Sequence, residues 1–486
     1  MKSIVQETFG LNLKSTYLEL PPELYTMQKA VSVKDPNLLL LNETLANDLG
    51  LNAKKLRTRE GAELLSGNRS VEGVPSFAQA YSGHQFGHFT QLGDGRALVL
   101  GEHLTREGKT LDIQLKGSGP TPYSRRGDGR AGLSPMLREY LISEAMAHLG
   151  IPTTRSLAVV HTGESVYREH PQEGAILTRV ASSHIRVGTF QYAATKSLQA
   201  LDALYRYTIK RHYPNCSHED NGPECLLFDF AERQAKLIAK WQSVGFIHGV
   251  MNTDNVSLAG ETMDYGPCAF MDRYDPNTVF SSIDTGGRYR YANQPLIGKW
   301  NLARFAEALM PLIKGDGVKI GNLALAHYDE IYEREWLRIM RLKLGLFTES
   351  QGDRNLIEGL LNCMVQDRMD FNDTFLKLTL GEVEALLTEG SQTFADWYQL
   401  WSTRRQQQDE NNTEQVSLMK RVNPSIVPRN HLVEHALYDW VTNGNEKPYM
   451  HLLSLLETPY AYTETHIATG APNKDWPEYY RTTCGT

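Results

Sequence analysis

The chain has 486 residues, 41% of them hydrophobic and 22% charged, so it is long enough for two or three domains and can bury a sizeable core. This composition excludes disorder throughout the chain. Fifty Lys and Arg against 57 Asp and Glu give a net charge of -7, which argues against a nucleic-acid binder held by phosphate contacts. No apolar stretch approaches the ~18 residues of a membrane span, and residues 1–22 lack a secretory apolar region. We therefore expect a cytoplasmic globular protein that binds neither nucleic acid nor membranes.

The cysteines predict reduced thiols rather than a disulfide framework. Their number is odd, they are scattered, and no C-x-x-C pair occurs. A loose cluster of His and Cys at residues 212–225 matches no recurrent zinc-ligand spacing. The five positions are Cys216, Cys225, Cys268, Cys363 and Cys484.

The predicted elements change in character along the chain. Residues 1–80 mix short helical patterns with loops, and strand signals follow from residue 92 to residue 180. Between these strands one helix is predicted, with Ser134 as its cap, Pro135 at its first position and Gly150 at its end. The predicted strands cover residues 97–100, 111–116, 156–160 and 175–180.

Helical patterns dominate after residue 195, and one of them stops near Gly245. A loop-rich segment follows, and the patterns beyond residue 297 are again helical. This order predicts a small β-rich unit with one helix, followed by a larger helical unit, with a cleft between them as the expected site.

Two glycines mark a turn between apolar runs at Gly93-Asp94-Gly95-Arg96. A turn of this kind brings backbone N–H groups close to a phosphate. Asp-Gly between apolar runs is also typical of a tight β-hairpin turn, so both interpretations stay open for this segment taken alone.

Lys116 ends an alternating strand, and Glu139 lies 23 residues later, near the start of the predicted helix. A strand lysine positioned by a helix glutamate holds the nucleotide phosphates in kinase-type sites. Between them, residues 125–130 hold three arginines with two glycines, a composition suited to wrapping an anion. Solvated surface charges are the alternative for each of these residues.

The segment from His248 to Asn255, followed by Asp264-Tyr265-Gly266, has the spacing of H-R-D-x-x-x-x-N and D-F-G. This alignment places Asn255 and Asp264 as ligands of a divalent cation. Val250 falls where the catalytic Asp of a kinase stands, and an apolar residue accepts no proton. Asp254 is the obvious substitute, and a loop rich in turn-forming residues is the alternative.

Arg179 and Arg186 flank the segment Ser182-Ser183-His184, which comes just after the last strand signal. Two more cations exceed what a kinase needs to hold one triphosphate. Structural ion pairs are the alternative for these two residues. If both lie in the cleft, they add charge where phosphates bind.

Taken together, these motifs resemble the SelO (YdiU) family of protein adenylyltransferases, which have a protein-kinase-like fold and were once taken for pseudokinases. The resemblance covers the catalytic portion well and most of the chain more loosely. It is carried by residues 81–88, 91–97, 112–119, 125–130, 138–140, 150–155, 248–255 and 264–267.

The resemblance implies an α+β, two-lobed, kinase-like fold with a small β-rich N-lobe that carries one key helix, a larger helical C-lobe, an N-terminal extension and a C-terminal helical region. The expected segments are 1–80 for the extension, 81–190 for the N-lobe, 191–330 for the C-lobe and 331–486 for the C-terminal helical region.

The resemblance also implies that ATP binds in the inverse orientation to that in a kinase, so that AMP passes to Ser, Thr or Tyr hydroxyls of substrate proteins and pyrophosphate leaves. Asp254 is then the base, Glu139 orients Lys116, and Asn255 and Asp264 hold Mg²⁺ or Mn²⁺. UTP as a second donor stays open. The nucleotide-binding residues would be Gly93, Gly95, Arg96, Lys116, Asp128, Gly129, Arg179, Arg186 and Asp264.

Two alternatives belong to other functional classes. One is a conventional kinase that uses Asp254 as its base, and the other is a catalytically dead nucleotide-binding scaffold, which Val250 suggests. The scaffold is disfavoured by Asp254 and by the pair of Arg179 and Arg186, because a catalytically dead site needs neither a base nor the additional cations.

Family members carry a Cys or selenocysteine near the C-terminus, and in some bacterial members it pairs with a Cys in the activation segment. Cys484 matches the first position, but the expected partner position, sixteen residues after Asp264, is Phe280. We therefore expect Cys484 to be a free thiol.

Overall fold

The computed structural model describes residues 3–218, 221–477 and 479–483. The strands in these residues are β1 (Leu13–Lys14), β2 (Tyr25–Met27), β3 (Asn37–Leu41), β4 (Phe77–Gln85), β5 (His88–Gly93), β6 (Ala97–Leu104), β7 (Thr110–Lys116), β8 (Ala131–Gly132), β9 (Arg155–Tyr167), β10 (Pro171–Ala181), β11 (Phe246–Ile247) and β12 (Ala269–Phe270). Ten of them form one antiparallel sheet in the order β2-β4-β6-β7-β10-β9-β3, in which β1 pairs with β6, β5 with β4 and β8 with β10. The two other strands, β11 and β12, pair only with each other.

Helices form most of the chain after β10. The helices that precede the end of the sheet are α1 (Ile4–Phe9), α2 (Glu43–Asp48), α3 (Ala53–Leu56), α4 (Arg59–Ser66) and α5 (Leu133–His148). Those that follow are α6 (Val187–Lys196), α7 (Leu198–His212), α8 (Gly222–Ser243), α9 (Gln294–Leu309), α10 (Gly317–Lys343), α11 (Asp353–Gln366), α12 (Phe371–Leu380), α13 (Val383–Glu389), α14 (Gln392–Gln406), α15 (Asn412–Val422), α16 (Asn430–Asn443), α17 (Lys447–Leu456) and α18 (Glu464–Thr469). This arrangement confirms the predicted α+β class, with a β-rich part that carries α5 followed by a larger helical part.

Strand β7 shows how the sequence places polar groups inside the fold. Its apolar residues alternate with polar ones, and successive side chains of a strand point to opposite faces of the sheet. Both faces are covered, so Ile113 and Leu115 are buried on one side and Asp112, Gln114 and Lys116 on the other. A strand with one polar, buried face therefore crosses the centre of the sheet.

Helix α5 begins one residue before the predicted cap, so the assignment of Ser134 as the cap was wrong. Gly132 is the N-cap, and no side chain caps the helix. The reason is that β8 pairs with β10 up to Gly132, and the chain therefore enters the helix directly from the sheet. The helix ends at His148 with Leu149 as C-cap, and Gly150 follows in the left-handed region at φ 73°.

The C-terminal helices support α5 from outside. Leu137 and Leu141 of α5 are buried in an apolar cluster that also contains Trp440 of α16 and Tyr449 of α17. The Tyr449 hydroxyl donates a hydrogen bond to the Leu137 carbonyl at 2.8 Å. Each fully buried leucine contributes about 1.5–3 kcal/mol. Residues far along the chain therefore stabilise the helix that carries Glu139.

The structure corrects the prediction that all five cysteines are reduced. Cys216 and Cys225 form a disulfide, with their Cα atoms 5.5 Å apart. A 3-10 turn over Pro214–His218 packs against α8 and brings the two residues together, a contact that a separation of nine residues does not reveal. Cys268 and Cys363 are buried, and Cys484 lies outside the described residues.

Within residues 3–218, 221–477 and 479–483, none of the helices has both the length and the apolar character that a membrane crossing requires. The bounds of the four predicted segments stay predictions. Residues 13–41 contribute three strands to the same sheet as the N-lobe strands.

Candidate active site

A cleft of about 1220 Å³ lies between the sheet and the helical lobe. Loops and strand ends of both lobes line it, together with residues 480–483 near the C-terminus. The predicted site residues that line the cleft are Gly93, Gly95, Arg96, Lys116, Asp128, Gly129, Glu139, Arg179, Arg186, Asp254, Asn255 and Asp264. Residues from well separated parts of the sequence thus meet in one cavity.

Strands β7 and β10 place two of the cations. In the antiparallel register Arg179 lies directly opposite Gln114, two residues before Lys116. Gln114 Oε1 accepts hydrogen bonds from Arg179 Nη2 at 2.6 Å and from Arg179 Nε at 3.2 Å. Lys116 Nζ lies 2.5 Å from Glu139 Oε2 of α5, and Arg179 Nη1 lies 3.4 Å from Glu139 Oε1. The predicted Lys116–Glu139 pair is therefore formed, and Arg179 shares the glutamate.

Asp264 is the point on which the cations converge. Its Oδ1 lies 2.7 Å from Arg179 Nη1 and 2.8 Å from Lys116 Nζ, and its Oδ2 lies 3.2 Å from Arg186 Nη1. Burial alone raises the pKa of Asp264, but Arg179, Lys116 and Arg186 together hold that pKa well below its ordinary value. The backbone is left-handed there, at φ 64°, a conformation with a cost for any residue that has a Cβ atom. The carboxylate is thus ionised and held in place by three buried cations.

Arg186 joins the two lobes at the base of the cleft. Its guanidinium donates to the Asp254 carbonyl at 2.8 Å and lies 3.5 Å from Asp94 Oδ1. It also lies over the Tyr81 ring, 4.4 Å from the ring centroid. Lys116, Arg179 and Arg186 thus pair with the side chains of Glu139, Asp264 and Asp94. Without a nucleotide, the structural ion pairs considered as the alternative are therefore present.

Asp254 is buried and tightly packed. Burial raises its pKa to about 6, against the opposing effect of Arg186. Its Oδ1 is buried and has no hydrogen-bond partner among the described residues. A Cβ atom at Gly83 of β4 would lie 2.0 Å from this oxygen, so only glycine fits there. A carboxylate with a raised pKa and an unused oxygen is suited to accept a proton.

Asn255 and Asp264 have the chemistry that a divalent cation requires. Asn255 donates its side-chain N–H to the Val250 carbonyl at 2.9 Å, which leaves its amide oxygen for a ligand. The Asp264 side chain is 20% exposed, toward the cleft that Asn255 also lines. Carboxylate and amide oxygens are ligands that Mg²⁺ and Mn²⁺ prefer. The residues present therefore fit such an ion.

The turn at residues 93–96 is packed closely against the loop that follows β7. A Cβ atom at Gly93 would lie 2.3 Å from the Tyr123 ring, and one at Gly95 would lie 2.9 Å from the Tyr123 carbonyl. The side chain of Asp94 turns inward and accepts a hydrogen bond from the Gln79 N–H at 3.0 Å. The turn thus exposes its backbone and the Arg96 side chain to the cleft. Contacts of the turn with the phosphates or the sugar of a nucleotide would require this exposure.

The arginine-rich loop at residues 125–130 forms one wall of the cleft. Asp128 is held by Arg168, whose Nη1 lies 2.9 Å from Asp128 Oδ2, and this pair lowers the pKa of Asp128. Gly129 has φ 65°, and a Cβ atom there would lie 2.1 Å from the Gly119 carbonyl oxygen. Direct contact of Asp128 and Gly129 with a nucleotide stays a prediction.

Sequence reasoning missed several residues of this site. Gln114 could have been found from the alternation of β7, since it shares a face with Lys116. No local signal marks Asp94 as buried, or the tail at residues 480–483 as part of the cleft, because long-range packing brings both there. Phe280, the expected disulfide position, accepts a hydrogen bond from the Thr482 N–H at 2.8 Å.

Replacing Lys116 with Met is expected to lower the catalytic rate by about 10²-fold or more, because a buried cation of the cleft is lost. Arg179 remains beside both Glu139 and Asp264, so neither carboxylate is left unpaired. The loss of stability should therefore stay below the about 3–5 kcal/mol of a broken buried pair. Thermal unfolding and a transfer assay, with the exposed Lys236→Met as control, measure both effects. A large fall in melting temperature would show a structural lysine instead.

Comparisons with known proteins agree with this geometry. The family model "Protein adenylyltransferase SelO" matches residues 7–457. A protein nucleotidyltransferase YdiU of Brevibacillus brevis is 53% identical over 481 residues, covering 98% of each chain. A YdiU of Bacillus cereus strain AH187 is 53% identical over 481 residues, covering 98% of this chain and 99% of its own.

Among solved structures, ROP2 from Toxoplasma gondii, described as a virulence factor with a protein-kinase fold and no enzymatic activity, matches 69% of this chain and 84% of its own, with 12% identity and a TM-score of 0.23. The match to the family model over most of the chain and the 53% identity to full-length relatives decide the assignment. The chain belongs to the SelO family of protein adenylyltransferases.

Proposed function

We propose that this enzyme transfers AMP from ATP to Ser, Thr or Tyr hydroxyls of other proteins with Asp254 as the proton acceptor. In the proposed step the hydroxyl oxygen attacks the α-phosphorus, the bond from that phosphorus to the β-phosphate bridging oxygen breaks, and pyrophosphate leaves. The hydroxyl proton passes to the Asp254 carboxylate. The raised pKa and the unused Oδ1 of Asp254 support this role.

The observation that carries the proposal is the convergence of Lys116, Arg179 and Arg186 on Asp264 beside Asp254. The three cations are almost completely buried, so charges held there interact strongly with phosphate. In the proposed arrangement these cations hold the terminal phosphates, which is the inverse orientation that AMP transfer requires. Glu139 fixes Lys116 in this arrangement.

Asn255 and Asp264 would hold Mg²⁺ or Mn²⁺ together with the nucleotide. When bound, the ion neutralises phosphate charge and stabilises the leaving pyrophosphate. Asp264 already contacts three cations, so loading of the site requires its carboxylate to exchange some of these contacts for the metal. The phosphates would then take over Arg179 and Arg186. We therefore expect metal and nucleotide to bind cooperatively.

We also propose a cytoplasmic location, because ATP is made and held inside cells. The Cys216–Cys225 disulfide is the observation against it, since disulfides are rare in reducing compartments. Thiol alkylation at the moment of cell lysis, followed by mass spectrometry of the peptides that contain Cys216 and Cys225, tests whether this bond exists in the cell.

The test of the proposed function is transfer of label from ATP to a mixed protein extract with Mg²⁺ present. Label from the α-phosphate and none from the γ-phosphate is expected, and Asp254→Asn should abolish it. Label from the γ-phosphate alone would identify a conventional kinase. No label from either position, with ATP binding demonstrated, would leave only a nucleotide-binding scaffold.

A further inference from the structure

The lining of the cleft also includes three uncharged side chains, those of Gln85 at the end of β4, Asn252 and Ile283. Gln85 lies beside Asp254, and Asn252 is on the same loop as Asp254. In the proposed function the terminal phosphates occupy Lys116, Arg179 and Arg186, so the acceptor protein would approach Asp254 past these uncharged side chains.

Arg288 does not itself line the cleft, but it lies beside the turn that follows Gln85. Its guanidinium carbon lies 4.7 Å from the Trp300 ring centroid and 5.7 Å from that of Tyr289. A Cβ atom at Gly87, in the turn between β4 and β5, would lie 3.8 Å from the same carbon. The Tyr289 hydroxyl donates to Asn252 Oδ1 at 2.6 Å, and the Phe86 N–H donates to the same oxygen at 3.0 Å. Arg288 is therefore fixed between the β4–β5 turn and the loop that carries Asp254.

No carboxylate of the described residues pairs with the Arg288 side chain, and its Nε is buried without a hydrogen-bond partner. Asp284 is close in sequence, but its carboxylate accepts the backbone N–H groups of Arg288 and Tyr289 at 2.9 Å and 2.8 Å. The neighbouring Arg304, which also lies over Trp300, pairs with Glu307 at 2.6 Å. Arg288 thus combines a rigid aromatic support with a charge that the fold does not neutralise.

Two apolar side chains near Arg288 are unusually exposed. Ile283, on the same loop as Arg288, is 55% exposed, and Phe89, the second residue of β5, is 47% exposed. Exposed apolar residues beside a supported arginine are typical of protein interaction surfaces, in which aromatic residues and arginine carry much of the binding energy. We call Arg288, Ile283 and Phe89 the acceptor surface.

We propose that the acceptor surface binds the substrate protein and that Arg288 selects an acidic residue close to the hydroxyl that receives AMP. Gly83 lies against Asp254 and Gly87 lies against Arg288, so about four residues of chain separate the two groups. An extended acceptor segment rises ~3.3 Å per residue, so the selected Asp or Glu lies within about four residues of the hydroxyl. A carboxylate fits because a guanidinium binds it through two parallel hydrogen bonds. The inference rests on the proposed role of Asp254, which defines the acceptor end of the cleft.

The experiment uses synthetic peptides that carry one Tyr acceptor and, at each position within about four residues of it, Glu, Gln or Lys. Transfer from ATP labelled at the α-phosphate and binding by fluorescence polarisation are measured for the full-length enzyme. At the selected position we expect the peptide with Glu to exceed the peptide with Gln by about tenfold in kcat/KM and in affinity. This is the difference that one charge-assisted hydrogen bond predicts. Arg288→Gln should remove this preference and leave ATP affinity unchanged, and Arg288→Glu should prefer Lys.

Arg304→Gln is the matched control, since Arg304 lies over the same ring but is neutralised by Glu307. It should keep the Glu preference. Equal use of Glu and Gln peptides by the wild type, or a preference that survives Arg288→Gln, would overturn the inference and leave AMP transfer standing. Peptide binding that depends on Arg288 but without transfer of α-label would support the acceptor surface and refute the proposed function.

Discussion

Substitution of Asp264 with Ala is expected to abolish AMP transfer and the dependence of ATP affinity on Mg²⁺. The change removes a carboxylate that we assign to the metal. It also leaves Lys116, Arg179 and Arg186 facing only Glu139 and Asp94, so that two carboxylates face three buried cations. The variant should therefore bind pyrophosphate without metal more tightly than the wild type does. Activity and metal-free anion affinity are thus expected to change in opposite directions.

Isothermal titration with ATP and with pyrophosphate, each with and without Mg²⁺, measures these effects. The unpaired cations should also lower the stability of the variant by about 3–5 kcal/mol, and pyrophosphate should restore part of it. Asp329→Ala, which removes an exposed carboxylate paired with Lys299, is the control. Unchanged Mg²⁺-dependent ATP affinity in Asp264→Ala would contradict the metal assignment.

The sequence predicted those parts of the site whose geometry follows from local periodicity. The alternation of β7 places Lys116 on a buried polar face, and helix α5 carries Glu139 at the position from which it reaches that lysine. The spacing from His248 to Asp264 predicted Asp254, Asn255 and Asp264 as site residues, and all three line one cleft, while their roles stay predictions. Such predictions succeed because strand and helix repeats fix which residues share a face.

Other features depend on contacts between distant segments, and the sequence could not predict them. The cap of α5 was misassigned because β8 pairs with β10 up to Gly132, which a local pattern does not show. The Cys216–Cys225 disulfide depends on how a short turn packs on α8. The support of α5 by Tyr449 joins positions more than three hundred residues apart. Tertiary packing decided each of these outcomes.

The convergence of three cations on Asp264 shows a further limit of motif reasoning. The motif assigned Asp264 to a metal and Arg179 and Arg186 to phosphate, but without ligands these groups bind each other. This pairing solves a physical problem, since three buried cations without partners would destabilise the fold. The same pairing must be exchanged when nucleotide and metal enter, which is why the effects expected for Asp264→Ala on activity and anion affinity are opposite.

Substitution of Asp254 with Asn is expected to lower kcat for AMP transfer by about 10²–10⁴-fold, the contribution of a general base. Asn has nearly the same shape but accepts no proton at neutral pH.

In the metal-free protein the replacement of Asp254 with Asn should raise the free energy of unfolding, because burial raises the pKa of Asp254 from 3.8 to about 6. Above that pH the aspartate is ionised in both the folded and the unfolded chain, and the folded chain bears the cost of a buried charge. The gain from Asn is then about 3 kcal/mol at most.

This gain should depend on pH in one direction. Below about pH 4 the aspartate is protonated in both states, and Asn offers no advantage; as pH rises from about 4 to about 6 the advantage grows, and it stays constant above. Thermal unfolding of both proteins in EDTA across this range measures it, with Asp329→Asn as an exposed control. A variant that is inactive yet more stable at pH 8 would show that the buried carboxylate is kept for the reaction at a cost to the fold. An inactive variant that is less stable at every pH would instead make Asp254 a structural residue.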